Sequence, residues 1–291
     1  MSIIENSNIF KCPVCGSAMH IFNQKSLICA HTHCFDLAKT GYINLLLQSS
    51  PPEYDKVLLK SRQIICNSGF FAPLVQQISA MIVKEMSQTS SSMIRILDAG
   101  CGEGSHLAQV ISQLTYDFPG RFQGIGMDIS KAGIQMAAKQ YPSSIWCVGD
   151  LAQAPLRDKE FEVILNILSP ANYSEFNRIM AADGLLIKVV PESDYLQELR
   201  ALFFDKTARE TYSNENVIEL FHKNYKLITQ KRITYQVKLA KANLEHLIKM
   251  TPLSWRASDE KIAQALDRGI DKITVDLSIL GGKNPHVVDP A

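Results

Sequence analysis

The sequence has almost no surplus of charge: 30 lysines and arginines stand against 29 acidic residues, leaving a net +1. That excludes a chain that binds polyanions by bulk attraction, so any nucleic-acid contact must come from local patches. No apolar run reaches the length that spans a bilayer, which sets aside a helical membrane protein. Met1 to Lys11 lacks a basic segment followed by an apolar one, so no secretory leader is expected. Internal repeats and long low-complexity tracts are missing as well. Cysteine is scarce and uneven. There are seven, an odd number, with Cys12, Cys15, Cys29 and Cys34 crowded near the start. Such a set fits a reducing cytoplasm and a metal site better than a disulfide framework.

At 291 residues the chain is long enough for one large domain and one or two small ones, and its 46% apolar content is ordinary for a protein with a real core. Two polar, turn-rich breaks divide it, at Gln48-Ser-Ser-Pro-Pro52 and Gln88-Thr-Ser-Ser-Ser-Met93. They suggest a small metal module over 1–48, a helical linker segment over 49–92 and a large domain over 93–291. In the middle segment Leu74, Ile78, Met81, Ile82 and Met86 recur at helical spacing, predicting a helix from about Gly69 to Met86.

From Met93 strand and helix signals alternate. Ile94 to Leu97, Gly124 to Ile129, Ile145 to Val148, Val163 to Ile167 and Leu185 to Val190 read as strands. Leu107, Val110, Ile111 and Leu114 form a helical stripe, and a second helix is expected from Lys131 to Gln140. The alternation predicts an α/β fold with a mostly parallel sheet covered by helices. Leu227 to Leu239 and Asp271 to Leu280 are β-rich and flank a helical stretch from Leu244 to Lys249. They are expected to form an antiparallel end of the same sheet.

Asp98-Ala-Gly100-Cys-Gly102-Glu103-Gly104 follows one strand and opens a helix. Glycines there permit a tight turn and let a ligand lie against bare backbone, while the helix start offers free N–H groups. A dinucleotide fingerprint would want its third glycine at 105, where Ser105 stands. The G-x-G-x-G pattern, with an acid two positions before it, instead resembles motif I of class I methyltransferases, which bind S-adenosylmethionine. Asp128 ends the next strand, where a carboxylate can accept both hydroxyls of a ribose. Asp150 and Leu151 end the following one and could frame an adenine.

Cys12-Pro-Val-Cys15 can turn two thiolates to one point, and Cys29 with a further ligand nearby would complete the tetrahedron that zinc prefers. Spacing alone leaves the fourth ligand open among His31, His33 and Cys34, with His20 also near. A redox role is disfavoured because no thioredoxin-like βαβ pattern surrounds the pair.

The stretch Cys29-Ala-His-Thr-His33-Cys-Phe35-Asp36-Leu-Ala38-Lys39-Thr-Gly41-Tyr42-Ile-Asn44-Leu45-Leu46 is distinctive. With Asp98 to Gly104, Asn166-Ile-Leu-Ser169-Pro170 and Met250-Thr251-Pro252-Leu-Ser-Trp255-Arg256-Ala257, it resembles the bacterial RlmA family, across nearly the whole chain. These are 23S rRNA (guanine-N1)-methyltransferases that act in the loop of hairpin 35. The resemblance implies a zinc-binding domain in front of a class I methyltransferase Rossmann-like domain, and a homodimer. It puts the zinc ligands on Cys12, Cys15, Cys29 and His33, leaving Cys34 as the rival. It puts cofactor contacts on Phe71 and Tyr195 besides Gly102 and Glu103. Better-known relatives carry tyrosine where Phe71 stands and histidine where Tyr195 stands. Asn166 to Pro170 resembles the Gram-positive branch, some of whose members confer macrolide resistance, a property that does not follow from the sequence.

Guanine N1 carries a proton at neutral pH and must lose it before or during attack, so a group that takes the proton or stabilises the anion is expected. Asn166, Glu192 and Asp194 lie at or beyond strand ends; none can be chosen as the base, and Asn166 serves equally well as a strand-end backbone partner. The Asp-Pro-Pro-Tyr-like signature of exocyclic-amine methylation is missing. Lys223, Lys226, Lys231, Arg232, Lys238, Lys241 and Lys249 form a basic strip that either anchors phosphates or is a solvated face. Phe35 and Tyr42 could stack on a loop base but suit the core of so small a module better. Two other functions stay open: methylation of a small molecule or lipid with structural zinc, and non-catalytic RNA binding on a methyltransferase fold.

Overall fold

The computed structural model describes residues 3–48, 56–87, 89, 91–204, 213–255 and 257–285. The break at 49–52, together with Gln88, Ser90 and Arg256, lies outside them. After a 3-10 turn at Ser7–Ile9, β1 (Met19–Phe22), β2 (Ser26–Cys29) and β3 (Cys34–Asp36) form a three-stranded antiparallel sheet. β4 (Ile43–Asn44) does not belong to it. It pairs in parallel with β7 (Ile145–Val148), Ile43 opposite Cys147, so the front of the chain extends the large sheet.

Two helices follow. α1 (Lys56–Asn67) has no counterpart in the sequence reading; α2 (Ala72–Met86) starts three residues later than expected. Gly69, at φ +84°, turns the chain, and the proline in the first turn of α2 sets the start. These helices are not a free linker. Ile65, Leu74, Ile78 and Ile82 are fully buried in one core with the sheet.

β5 (Ile94–Ala99), β6 (Phe122–Asp128), β7, β8 (Phe161–Ile167) and β9 (Met180–Pro191) run parallel. α3 (Ser105–Asp117), α4 (Lys131–Gln140), α5 (Tyr173–Ile179), α6 (Gln197–Phe203) and α7 (Glu215–Asn224) accompany them. β10 (Tyr225–Lys238) and β11 (Lys272–Pro285) add the expected antiparallel end, with α8 (Lys241–Met250) and α9 (Asp259–Asp267) between them. The order across the eight-stranded sheet is β10-β11-β9-β8-β5-β6-β7-β4. This is the class I methyltransferase arrangement behind a small ribbon.

Each face of the sheet carries its own core. One buries α1, α2, α3, α4 and α8 through residues such as Ile78, Leu107, Ile134 and Leu247. The other buries α5, α7 and the ribbon: Phe10, Leu27 and Ile43 pack with Leu97, Ile145, Phe176 and Phe221. A bridge from Phe10 to Leu156 and the bond from Lys11 N to Pro155 O tie the ribbon down further. Tyr42 is buried, and its hydroxyl accepts from Gln135 Nε2 at 3.1 Å, so it belongs to the core.

Candidate active site and metal centre

Strand ends decide where ligands can go. The C-terminal ends of β5, β6, β8 and β9 open on one side of the sheet, the side on which α/β sheets bind ligands. The turn after β5 holds Gly100, Gly102 and Gly104 at φ +84°, +58° and +85°. At Gly100 a Cβ would meet Ser169 Oγ at 2.1 Å, and at Gly104 it would meet the Trp146 ring at 2.5 Å. The motif is therefore forced by close approach on both sides as well as by backbone sign. α3 starts at Gly104 without a side-chain cap, leaving its first N–H groups to a ligand. α4, by contrast, is capped by Ser130 Oγ, which accepts from Gly133 N at 3.1 Å.

A cavity of about 500 Å³ lies over this turn. Of the expected cofactor residues, Phe71, Gly100, Gly102, Asp128 and Tyr195 line it. Asp98, Glu103, Gly104, Asp150 and Leu151 do not. Asp98 and Glu103 are buried behind the turn, at 2% and 1% exposure. Asp150 Oδ1 accepts from Ala152 N at 2.8 Å in a local turn, and Leu151 packs toward Gly100. Asp128 Oδ2 accepts from Gly102 N at 2.7 Å and Oδ1 from Ser130 N at 2.8 Å. Each carboxylate oxygen keeps a second lone pair, so hydroxyls can still be held.

The electrostatics centre on Arg62, which α1 sends over Gly102. Its Nε lies 3.8 Å from Glu103 Oε1. Burial raises the Asp98 carboxyl to about 7, with Arg62 opposing and Asp128 and Glu103 reinforcing the rise. Burial raises Glu103 too, against Arg62 and the Ser105 hydroxyl that donates to it at 2.6 Å. His106 packs edge-on against Phe71 at 5.0 Å; burial, helped by Arg62, lowers it to about 3, so it is neutral. The pocket thus sets the Asp128 carboxylate beside bare backbone, a combination that can hold the ribose of a nucleoside cofactor. S-adenosylmethionine fits it in size.

The candidates for handling the guanine proton fall elsewhere. Asn166 Nδ2 donates to Ala99 O at 3.0 Å and Pro170 O at 2.9 Å, which is the backbone role. Glu192 accepts from Ser278 Oγ, and Asp194 is exposed beside Ser193; neither lines the cavity. Sequence reasoning missed Lys188 of β9, 4% exposed and on the cavity wall, and gave no role to Arg62 or His106. The Lys188 signal was present: one lysine inside the otherwise apolar Leu185 to Val190. Trp255, within a quoted segment but without a role, is 52% exposed and lines the same cavity.

At the other end of the chain, Cys12, Cys15, Cys29 and His33 bring their ligand atoms within 4.8 Å of one another. His33 Nδ1 lies 3.5 Å from Cys12 Sγ and 3.4 Å from Cys29 Sγ, and Cys15 Sγ lies 3.6 Å from Cys29 Sγ. Tetrahedral zinc at its usual bond lengths needs ligand separations of about 3.5–3.8 Å, so the donor set fits. Thr32, at φ +63°, turns His33 back to the cysteines. Cys34 is exposed at the start of β3 and is not among the four; His31 Nδ1 instead lies 3.2 Å from Ser17 Oγ. No residue of the ribbon lines the large cavity.

Of the basic strip, most members are engaged: Lys223 pairs with Glu219, Lys231 donates to Gln77, Arg232 pairs with Asp276, Lys241 with Asp267 and Lys249 with Glu245. Among the described residues no helix is long and apolar enough to cross a membrane.

Comparison with known proteins covers both the ribbon and the large domain. A family profile described as "RlmA, N-terminal" matches residues 10–48, and one described as "Methyltransferase domain" matches 96–184. A Bacillus subtilis (strain 168) protein, YxjB, provisionally named a 23S rRNA (guanine-N(1)-)-methyltransferase, is 40% identical over 94% of this chain and 97% of its own. The 23S rRNA (guanine(748)-N(1))-methyltransferase of Streptomyces fradiae is 26% identical over 92% of this chain and 94% of its own. A Mycobacterium ulcerans (strain Agy99) phthiotriol/phenolphthiotriol dimycocerosates methyltransferase is 26% identical over only 35% of this chain and 35% of its own. The chain is therefore an S-adenosylmethionine-dependent methyltransferase with a zinc ribbon. Matched in its ribbon, in its central domain and along its length, the chain belongs to the RlmA family of 23S rRNA (guanine-N1)-methyltransferases.

Proposed function

We propose that the chain methylates N1 of a guanine in the hairpin 35 loop of 23S rRNA, as a homodimer in the cytoplasm. The observation that carries the choice of target is the near full-length similarity to the Streptomyces fradiae enzyme named for guanine 748, ribbon included. In this reading residues 1–48 recognise RNA, 49–92 brace the cavity, and 93–291 carry out methyl transfer.

When bound, S-adenosylmethionine supplies an electrophilic methyl on a sulfonium. Asp128 holds the ribose hydroxyls. The Gly100–Gly104 turn lets the cofactor lie on backbone, with Asp98 and Glu103 buried behind it. Phe71 and Tyr195 wall the reacting side. Desolvation of the cavity and in-line positioning then do most of the work. In the ribbon, Cys12, Cys15, Cys29 and His33 fix the turns that present Val14 and Phe22, 52% and 49% exposed, to the RNA loop. The engaged lysines of β10 and α8 remain available to phosphates, because exposed ion pairs hold them only weakly.

The test is transfer of labelled methyl to unmodified 23S rRNA, with the site mapped by primer extension and nucleoside analysis. Label on N1 of a hairpin 35 guanine is expected. Label on another RNA segment would overturn the target, and sedimentation of a monomer would overturn the dimer.

A further inference from the structure

Lys188 is the least expected residue in the cavity. It sits at the far end of β9 beside Asn166 of β8, and only 4% of it is exposed. Lysine is almost never that buried without a carboxylate partner. Here no carboxylate pairs with it among the described residues. Its Nζ donates to Asn166 Oδ1 at 2.5 Å and to Ser169 O at 2.9 Å, both acceptors. Asn166 is itself locked by its two bonds to Ala99 O and Pro170 O, so the amine is oriented from beneath. A neutral amine has two N–H donors and one lone pair. The two acceptors match the two donors of that form, whose lone pair is then the position left for a ligand in the cavity that Lys188 lines.

The other ionisable groups on the cavity wall are Arg62, His106, Asp128, Tyr195 and Arg200. Asp98 on β5 lies behind the glycine turn, Tyr173 opens α5 beyond Pro170, and Asp276 on β11 is bound to Arg232. Burial alone, with no contribution from any of these, pulls the Lys188 amine down from the ordinary lysine value to about 8. A base close to the working pH is the most effective kind.

We propose that the Lys188 amine is the catalytic base that takes the N1 proton of the target guanine. The N1–H bond breaks as the proton moves to the Lys188 lone pair. The electron pair left on N1 forms the bond to the methyl carbon. The methyl–sulfur bond breaks with its electrons staying on sulfur, giving S-adenosylhomocysteine, and the Lys188 ammonium then returns its proton to water. Asn166 is a positioning residue that aims the amine.

The experiment is single-turnover methylation of unmodified 23S rRNA by the full chain across a pH series, with cofactor affinity measured in parallel. The wild-type rate should rise with pH and level off near the Lys188 value. Lys188→Met should lower the rate near neutrality by about 100-fold or more and abolish the plateau, with cofactor affinity unchanged. Lys188→Ala should regain rate in proportion to added ethylamine, and Lys188→Arg, which is charged but cannot accept a proton, should not recover. Recovery in the arginine variant would overturn the proposal in favour of a fixed charge. So would a wild-type profile in Lys188→Met, or loss of cofactor binding in all three variants.

Discussion

Arg62 Nε lies 3.8 Å from Glu103 Oε1, so a guanidinium from α1 answers a carboxylate buried at the start of α3. Helix α1 is thereby fastened to the glycine turn by charge as well as by packing. Removing one member of such a pair strands the other. Arg62→Met should destabilise toward the lower end of about 3–5 kcal/mol, since Arg62 keeps 26% exposure. Adding Glu103→Gln should restore part of that loss. Urea unfolding of the two single variants and the double variant measures the coupling, and strictly additive effects would remove the pair from the account.

The metal site leads to a second expectation. Zinc holds the turns of the ribbon, yet no ribbon residue lines the cavity. Replacing Cys12 and Cys15 by serine should therefore abolish RNA methylation and leave cofactor affinity within a few-fold of wild type. Because Phe10, Leu27 and Ile43 share a core with the sheet, the melting temperature should fall too. Calorimetry and equilibrium dialysis read the two effects separately. Loss of cofactor binding together with RNA activity would mean that β4 and its neighbours support the whole sheet.

Much of this was legible in the sequence for physical reasons. The parallel strands announce themselves because both faces are buried and their apolar runs are continuous, as in Ile145 to Val148. The glycine turn is legible because close approach leaves no other residue. Tertiary pairing is not legible in that way. β4 is two residues long, and its place beside β7 is decided by the core beneath it. Arg62 and Lys188 became visible only when α1 and β9 met the cavity, because a charge acquires meaning from what surrounds it. The basic strip shows the converse: its cations are answered by Glu219 one turn back on α7 and by Asp267 and Asp276 from other elements.

Asp98 allows a pH test. Its carboxyl is raised from 3.8 to about 7, chiefly by burial. A raised carboxyl means that the folded state binds the proton more tightly than the unfolded one. Its contribution to stability is full below the unfolded value and is lost as pH rises through about 7. Asp98→Asn is neutral throughout, so it should melt above wild type in mild alkali and match it in acid, the difference growing between those two pKa values. Cofactor affinity should fall in the same variant above about pH 7, where the wild-type carboxyl is charged, and match wild type in acid. Thermal melts across pH decide it; a constant offset would show that Asp98 does not titrate in this range.

Trp255 closes a 3-10 turn at Pro252–Ser254, its backbone N–H donating to Pro252 O at 3.4 Å, and stands 52% exposed on the cavity wall. A guanine drawn from its loop into this cavity loses its stacking neighbours and needs a replacement surface. An indole at the mouth supplies one, and base–aromatic stacking is worth about 1–3 kcal/mol. Trp255→Ala should therefore weaken RNA use by about 10- to 100-fold, seen as a higher KM for RNA with little change in cofactor affinity. Trp255→Phe should retain most of the effect, since a ring face remains. If the alanine variant methylates RNA at the wild-type KM, the target base stacks elsewhere and the exposed ring serves another contact.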